Sequence, residues 1–294
     1  MENNIEKPYV IGLDMGGTNS IFGIVDQRGN IKAQTAIKSQ AYPDFKDYVA
    51  AAVEALGPAL DVVGGIEQIR GMGIGAPNAN FYTGCIEGSA NLVWKGNVPL
   101  AQGFEDALGI PVRVTNDANA AAMGEMTYGV ARGMKNFIMI TLGTGVGSGI
   151  VVDGKVVYGS DGYAGELGHV IIDHTGNGRQ CGCGRKGCLE TYCSATGVAR
   201  TAREFLSKSD AASELRNMNP EDITSYDVFL AAEKGDKIAL DIFDYTGTIL
   251  GRSCADFATF NTPEAFVFFG GLTKAGEYLM KPLRKAYEEN VLFM

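Results

Sequence analysis

Apolar and polar positions follow the same order in two separate stretches of the chain. In the first, Ile11-Gly-Leu-Asp-Met-Gly-Gly-Thr-Asn-Ser20 runs an apolar strand into a glycine-rich turn. It leads into Gly23-Ile-Val-Asp-Gln-Arg-Gly-Asn-Ile31, a second strand, an Asp/Gly turn and the start of a third. In the second stretch, Ile140-Thr-Leu-Gly-Thr-Gly-Val-Gly-Ser148 leads into Gly149-Ile-Val-Val-Asp-Gly-Lys-Val156 with the same succession. Repetition of a whole strand-turn-strand-turn-strand order predicts two similar halves; the plainer alternative is that glycine-rich hairpins simply recur. Between the repeats, apolar spacing over Asp47–Leu60 predicts a helix that Gly57-Pro58 interrupts or ends. Ile69–Gly75 predicts a strand leaving through the loop Ala76-Pro77-Asn78. Ile110–Thr115 predicts another, running into Asn116-Asp117 and an alanine-rich helix. Further on, Thr196–Ser207, Asp227–Lys234 and Ile238–Phe257 predict helices, then a strand at Ala265–Phe269, the turn Gly270-Gly271 and a helix from about Glu277.

Strand, loop and helix in this alternation predict an α/β fold. The expected division is a smaller N-terminal α/β domain over residues 1–120 and a larger α/β domain over 121–294 that carries a cysteine-rich loop. A length of 294 residues suits two domains, and 46% apolar residues with 40 Gly against 9 Pro is a globular composition. The formal charge of -9, with no run of basic residues, argues against a nucleic-acid surface. Met1–Pro8 holds no basic cluster followed by an apolar stretch, so no secretory signal is read. The longest apolar stretches, Phe137–Leu142 and Ala265–Phe269, fall far short of the roughly 20 residues a membrane span needs. A cytoplasmic protein that meets neither nucleic acid nor membrane is expected.

The two glycine-rich turns point to phosphate. Asp14 is followed by Met15, Gly16, Gly17, Thr18 and Asn19, which offer backbone N–H groups without Cβ obstruction, together with a hydroxyl. The Asp14 carboxylate would repel phosphate directly, so it is expected to hold Mg²⁺ or its water shell. Gly143, Thr144 and Gly145 form the second cradle. Neither copy fits the G-x-x-x-x-G-K-[ST] loop or the strand-to-helix dinucleotide fingerprint. Gly270-Gly271 could admit a nucleotide base or ribose close to the backbone, and is equally readable as a plain strand-to-helix turn.

His169, Cys181, Cys183 and Cys188 offer one imidazole and three thiolates within a short glycine-rich segment, a Cys₃His set suited to tetrahedral Zn²⁺. Four protein ligands leave no open position, so the ion is expected to be structural; free or oxidised thiols are the alternative. Cys193 competes as a ligand but is expected to be buried, as are Cys85 and Cys254, and His174 is read as an exposed loop residue. Glu166 precedes His169 by three residues and Glu190 follows Cys188 by two. A fixed metal would fix both carboxylates for the hydroxyls of a polyol; otherwise both are loop charges in solvent. Asn116-Asp117 supports two readings: Asp117 as a general base for phosphoryl transfer to an alcohol, or an ordinary helix N-cap.

Together, Asp14-Met-Gly-Gly-Thr18, Asn116-Asp117, Leu142-Gly-Thr-Gly145, Glu166-Leu-Gly-His169 and the Cys181-to-Glu190 segment resemble the ROK (repressor, open reading frame, kinase) family of sugar kinases and sugar-responsive repressors. The likeness covers nearly the whole chain. It implies an actin-like (ribonuclease H-like) duplicated fold, two domains around a cleft, and ATP-dependent phosphorylation of a hexose, with glucose at its 6-hydroxyl the first expectation. Asp117 would be the base; Gly75, Ala76, Asn91, Asn116, Glu166, His169 and Glu190 would bind sugar; His169, Cys181, Cys183 and Cys188 would hold zinc. His169 would then give one ring nitrogen to zinc and the other to sugar. ATP, Mg²⁺ and a structural Zn²⁺ are the implied cofactors, and a homodimer or homotetramer the expected assembly. Asn91-Leu-Val-Trp-Lys95 stands where many glucokinases of the family show Asn-Leu-Pro-Gly-Trp, and Ala76-Pro77-Asn78 replaces the more usual Ala-Pro-Gly. Allose, fructose, mannose or an N-acetylhexosamine therefore stay open as substrates. A sugar-sensing regulator is the other reading, and it predicts a helix-turn-helix ahead of the first strand. Family members usually continue past the helix after Gly270-Gly271 into a segment that packs back on the first domain, which leaves truncation at Met294 an open question.

Overall fold

A computed structural model describes residues 7–88 and 92–293. The chain divides into two compact units, Met1–Gly133 with Tyr158–Ala164, and Met134–Val157 with Gly165–Met294.

The first unit is built on a five-stranded sheet. Its strands β1 (Tyr9–Met15), β2 (Asn19–Asp26) and β3 (Ile31–Lys38) are antiparallel neighbours, and β4 (Ile69–Gly75) adds parallel to β1. After a small pair, β5 (Ile86–Glu87) and β6 (Asn97–Val98), strand β7 (Val112–Thr115) completes the order β3-β2-β1-β4-β7. Alternate residues Ile11, Leu13, Met15, Phe22 and Ile24 are buried. They belong to one core with Tyr48 and Leu56 of α1 (Phe45–Val63) and Phe104 of α2 (Leu100–Leu108). The period of two in the strands puts this whole apolar set on one face of the sheet.

Helix α1 runs through Gly57-Pro58 instead of stopping there. Proline removes one helical hydrogen bond and its ring normally crowds the Cβ of the residue before it. That residue is Gly57, which has no Cβ, and buried Leu56 and Ala59 hold the turn on either side. The helix ends at Gly64, in the left-handed region (φ 91°), where its N–H bonds the carbonyls of Leu60 and Asp61. Helix α2 was not foreseen, although Leu100, Phe104 and Leu108 carry a helical spacing of four.

The second unit repeats the first. Strands β8 (Phe137–Leu142), β9 (Val146–Val152) and β10 (Lys155–Val156) form an antiparallel meander, and β11 (Ala265–Phe269) lies parallel to β8 as β4 does to β1. The glycine spacing in the sequence thus marks a repeat of topology, the duplicated arrangement of actin-like folds. The α3 helix (Asp117–Tyr128) belongs to the first unit. The second holds α4 (Glu190–Cys193), α5 (Ala195–Lys208), α6 (Ser225–Glu233), α7 (Lys237–Asn261) and α8 (Glu277–Asn290), whose apolar faces share one core with β8. Among the described residues no helix is long and apolar enough to cross a membrane.

Candidate active site

In the first unit, the turn between β1 and β2 is closed by its own backbone and clamped from beneath. The Gly16 N–H donates to Asn19 O at 2.9 Å, so this amide shapes the turn and Gly17-Thr18 forms its tip. Ser39 holds it in place: its N–H donates to Thr18 O at 2.9 Å and its hydroxyl to Gly16 O at 3.0 Å. The Ser39 Oγ lies 2.9 Å from Ser20 Oγ, itself 2.8 Å from the Tyr48 hydroxyl. Burial pushes the Tyr48 hydroxyl well above its ordinary value, so it stays protonated in this chain of hydroxyls. Sequence reading missed all three hydroxyls. The available signal was a serine at an inward position of β2 and a tyrosine on the apolar face of α1.

Asp14, next to last in β1, lies opposite Gly75 of β4, and Gly75 in turn pairs with Thr115 of β7. Asn116 and Asp117 follow directly, and the structure separates their roles. Asn116 is the cap of α3, its Oδ1 accepting from the Ala118 N–H at 2.8 Å; Asp117 is the first helical residue, with Oδ1 2.8 Å from the same N–H. Asp117 reaches solvent, yet the protein crowding it, opposed by the Ala118 N–H and helped by the charge of Asp14, raises its carboxyl above the usual aspartate range.

Gly75 explains how α3 comes so close. A Cβ there would lie 3.0 Å from the Ala120 Cβ and 3.6 Å from the Asp117 Cα. Replacing Gly75 with Val is expected to push the first turn of α3 off the strand, costing about 1–3 kcal/mol in stability and more in turnover, read by thermal unfolding beside kcat. Ala76 is fully buried and its N–H donates to Thr115 O at 3.0 Å. Asn91, with Ser89 and Ala90, lies outside the described residues.

In the second unit, Gly143, Thr144 and Gly145 turn between β8 and β9. The first turn of α5 braces them: the Ala195 N–H donates to Gly143 O and the Thr196 hydroxyl to Thr144 O, both at 2.8 Å. Gly145 is glycine for a visible reason, since a Cβ there would sit 2.7 Å from Glu190 Oε2. Gly270 (φ 109°) touches the end of the same strand; its Cβ would meet Leu142 O at 2.5 Å. A cavity of about 130 Å³ beside Gly271 is lined by Tyr226, Phe229, Phe243 and Lys274.

The candidate metal ligands converge. Ligand atoms of His169, Cys181, Cys183 and Cys188 all lie within 4.8 Å of one another. Cys181 Sγ is 3.7 Å from His169 Nδ1, and the Cys183 and Cys188 sulfurs are 3.6 Å apart. A tetrahedron with metal–sulfur bonds of about 2.3 Å has edges of about 3.8 Å, so these two separations and the donor types suit zinc. Cys193 is fully buried and its thiol donates to Thr246 O, which removes it from the set. Glu166 caps the short turn Leu167–His169, its carbonyl accepting from the His169 N–H at 3.0 Å. Gly168 lets that turn lie on β9, where a Cβ would fall 2.0 Å from Val146 O. Glu190 reaches both ways: Oε1 is 3.1 Å from Cys181 Sγ and 3.8 Å from His169 Nδ1, while Oε2 accepts from the Val146 N–H at 3.4 Å.

The ROK family model matches residues 10–293. The chain belongs to the ROK family. This ROK chain is 37% identical over 291 residues to a glucokinase of Halalkalibacterium halodurans, covering 97% of the chain and 86% of that relative. It is 35% identical over 289 residues to a glucokinase of Thermotoga maritima, covering 97% and 89%. Among solved structures it is similar to the ROK family glucokinase of Streptomyces griseus in complex with glucose and AMPPNP. There the TM-score is 0.77 at 33% identity, with 97% of this chain and 90% of that one covered. One unit carries a glycine turn and two carboxylates, Asp14 and Asp117; the other carries a second glycine turn, a Cys₃His cluster and the carboxylates Glu166 and Glu190.

Proposed function

We propose that this ROK protein transfers the γ-phosphoryl group of ATP to a hexose, glucose before others, at the 6-hydroxyl, with Asp117 as general base. The observation that carries the reading is Asp117 itself: a carboxyl at the start of α3 that is not needed as the helix cap and whose proton affinity is raised toward the working range of a base. The likeness to glucokinases along nearly the full chain supports the same reaction.

In this reading Asp117 accepts the hydroxyl proton as the sugar oxygen attacks the γ-phosphorus and the bond to the β,γ-bridging oxygen breaks, releasing ADP, while the chain's remaining groups position and neutralise. Gly17, Thr18 and Asn19, with Gly143, Thr144 and Gly145, hold the phosphates. Asp14 would hold Mg²⁺, which when bound would offset the charge that develops on the transferring group. Gly270 and Gly271 admit the nucleotide, with its base in the aromatic-lined cavity. Gly75, Ala76, Asn91, Asn116, Glu166, His169 and Glu190 orient the sugar, His169 through the ring nitrogen that Nδ1 leaves over. Zinc bound by His169, Cys181, Cys183 and Cys188 supplies a rigid anchor and no reactive position.

Because the Asp117 carboxyl is raised, kcat/KM is expected to fall on acidification with a midpoint above the ordinary aspartate value of 3.8. Since Asp14 contributes to the shift, that midpoint should move down when Mg²⁺ saturates the enzyme. A pH profile at two Mg²⁺ concentrations reads both. A panel of glucose, mannose, fructose, allose and N-acetylhexosamines, assayed for ADP release, tests the substrate class. Release with none of them would defeat the kinase reading.

A further inference from the structure

The chemistry described so far makes no use of Arg179, a charged side chain that is only 5% exposed. Burying a guanidinium is costly unless every part of it is paired, and here its donors are spread over separate segments. Nη1 donates to Thr191 O in α4 at 2.7 Å and to Gly197 O in the first turn of α5 at 3.3 Å. Nη2 donates to the Thr201 hydroxyl at 2.9 Å and to Glu204 Oε2 at 2.7 Å. The guanidinium carbon also lies 4.4 Å from the centre of the Tyr192 ring. The backbone of the same residue grips the cysteine loop. Its carbonyl accepts from the Gly187 N–H at 2.9 Å, next to Cys188, and its N–H donates to the Tyr192 hydroxyl at 3.2 Å. Cys181 follows two residues later.

We infer that Arg179 is a positioning residue that ties the cysteine loop to α4 and α5, and through them fixes the Glu190 carboxylate and the Gly143–Gly145 turn. The chain of contacts is continuous. Arg179 holds Thr191, the neighbour of Glu190, and Gly197, one turn into the helix whose Ala195 and Thr196 brace Gly143 and Thr144. The planar, five-donor guanidinium suits this task; a lysine in its place could reach only part of the set. The inference rests on the reading that the loop binds zinc and the turn holds phosphate.

The test compares wild-type protein with Arg179→Met and Arg179→Lys. Zinc content is measured on each, then zinc release to a chromogenic chelator, then KM for ATP and for the hexose apart from kcat. Arg179→Met is expected to release zinc about tenfold faster or more, as outer partners of a metal site usually do when lost. KM for ATP should rise while kcat changes little. Arg179→Lys should fall between the two, and it alone decides the matter where the methionine variant does not fold. Release rates and KM values equal to wild type, with only the unfolding temperature lowered, would show a merely structural arginine and overturn the inference. Wild-type protein that binds no zinc would overturn the metal reading and this inference with it, whereas zinc in wild type with unchanged variants overturns the inference alone.

Discussion

Asp117→Asn is expected to lower kcat by about 10²–10⁴-fold while hexose binding, measured by calorimetry, stays detectable. The amide keeps the size of the carboxyl and can still accept from the Ala118 N–H, and Asn116 continues to cap α3, so the helix should remain in place. What is lost is the acceptor for the hydroxyl proton. A second consequence separates a base from a structural acid. The Asp117 carboxyl is raised in the folded state, so its stabilising effect is complete below the unfolded value and fades as pH rises through the folded one. At neutral pH the native protein therefore carries a penalty for keeping Asp117 ionised. Asp117→Asn removes it and should melt no lower than wild type, and higher if the backbone is undisturbed. A variant that loses both turnover and stability would mark Asp117 as part of the scaffold.

Stripping the zinc is expected to cost about tenfold or more in hexose affinity, restored by adding Zn²⁺ back. The physical reason is that the four ligands come from two separate stretches, His169 and Cys181–Cys188, which a shared ion would join. The loop has short backbone bonds, such as the Cys181 N–H to Arg185 O at 2.9 Å, and the Cys183 and Cys188 sulfurs lie 3.6 Å apart, a separation a shared ion would suit. Glu166 caps the turn that carries His169, and Glu190 lies within reach of Cys181 and His169, so both carboxylates lose their reference when the ligands part. Cys183→Ser should reproduce the effect. Cys193→Ala, which removes a buried thiol that bonds Thr246 O, should retain zinc at wild-type stoichiometry. Metal analysis of fully active protein showing no zinc would contradict the account.

Local patterns carried much of this into the sequence. The hairpins were legible because glycines at turns and alternation in strands are near-neighbour effects, and the cysteine spacing because a metal loop must close over few residues. The helix through Gly57-Pro58 was misjudged because the rule for proline depends on the Cβ of the residue before it, and glycine has none. The braces were hidden for a different reason. Ser39 and Tyr48 meet Ser20 from 19 and 28 residues away, and Glu190 meets Val146 from 44. No periodicity within one element encodes such a pairing. In the sequence, Gly75 and Gly145 point to sugar and phosphate, and Gly168 is a spacer within a motif. Their neighbours show that each also lets another element approach, a property that only the packed chain reveals.

The most direct measurement is ³¹P NMR of the protein with glucose and Mg²⁺·ATP. Glucose 6-phosphate is expected to accumulate in step with ADP, both abolished by Asp117→Asn. ADP formed with inorganic phosphate and no phosphorylated sugar, or an unchanged rate in Asp117→Asn, would contradict it.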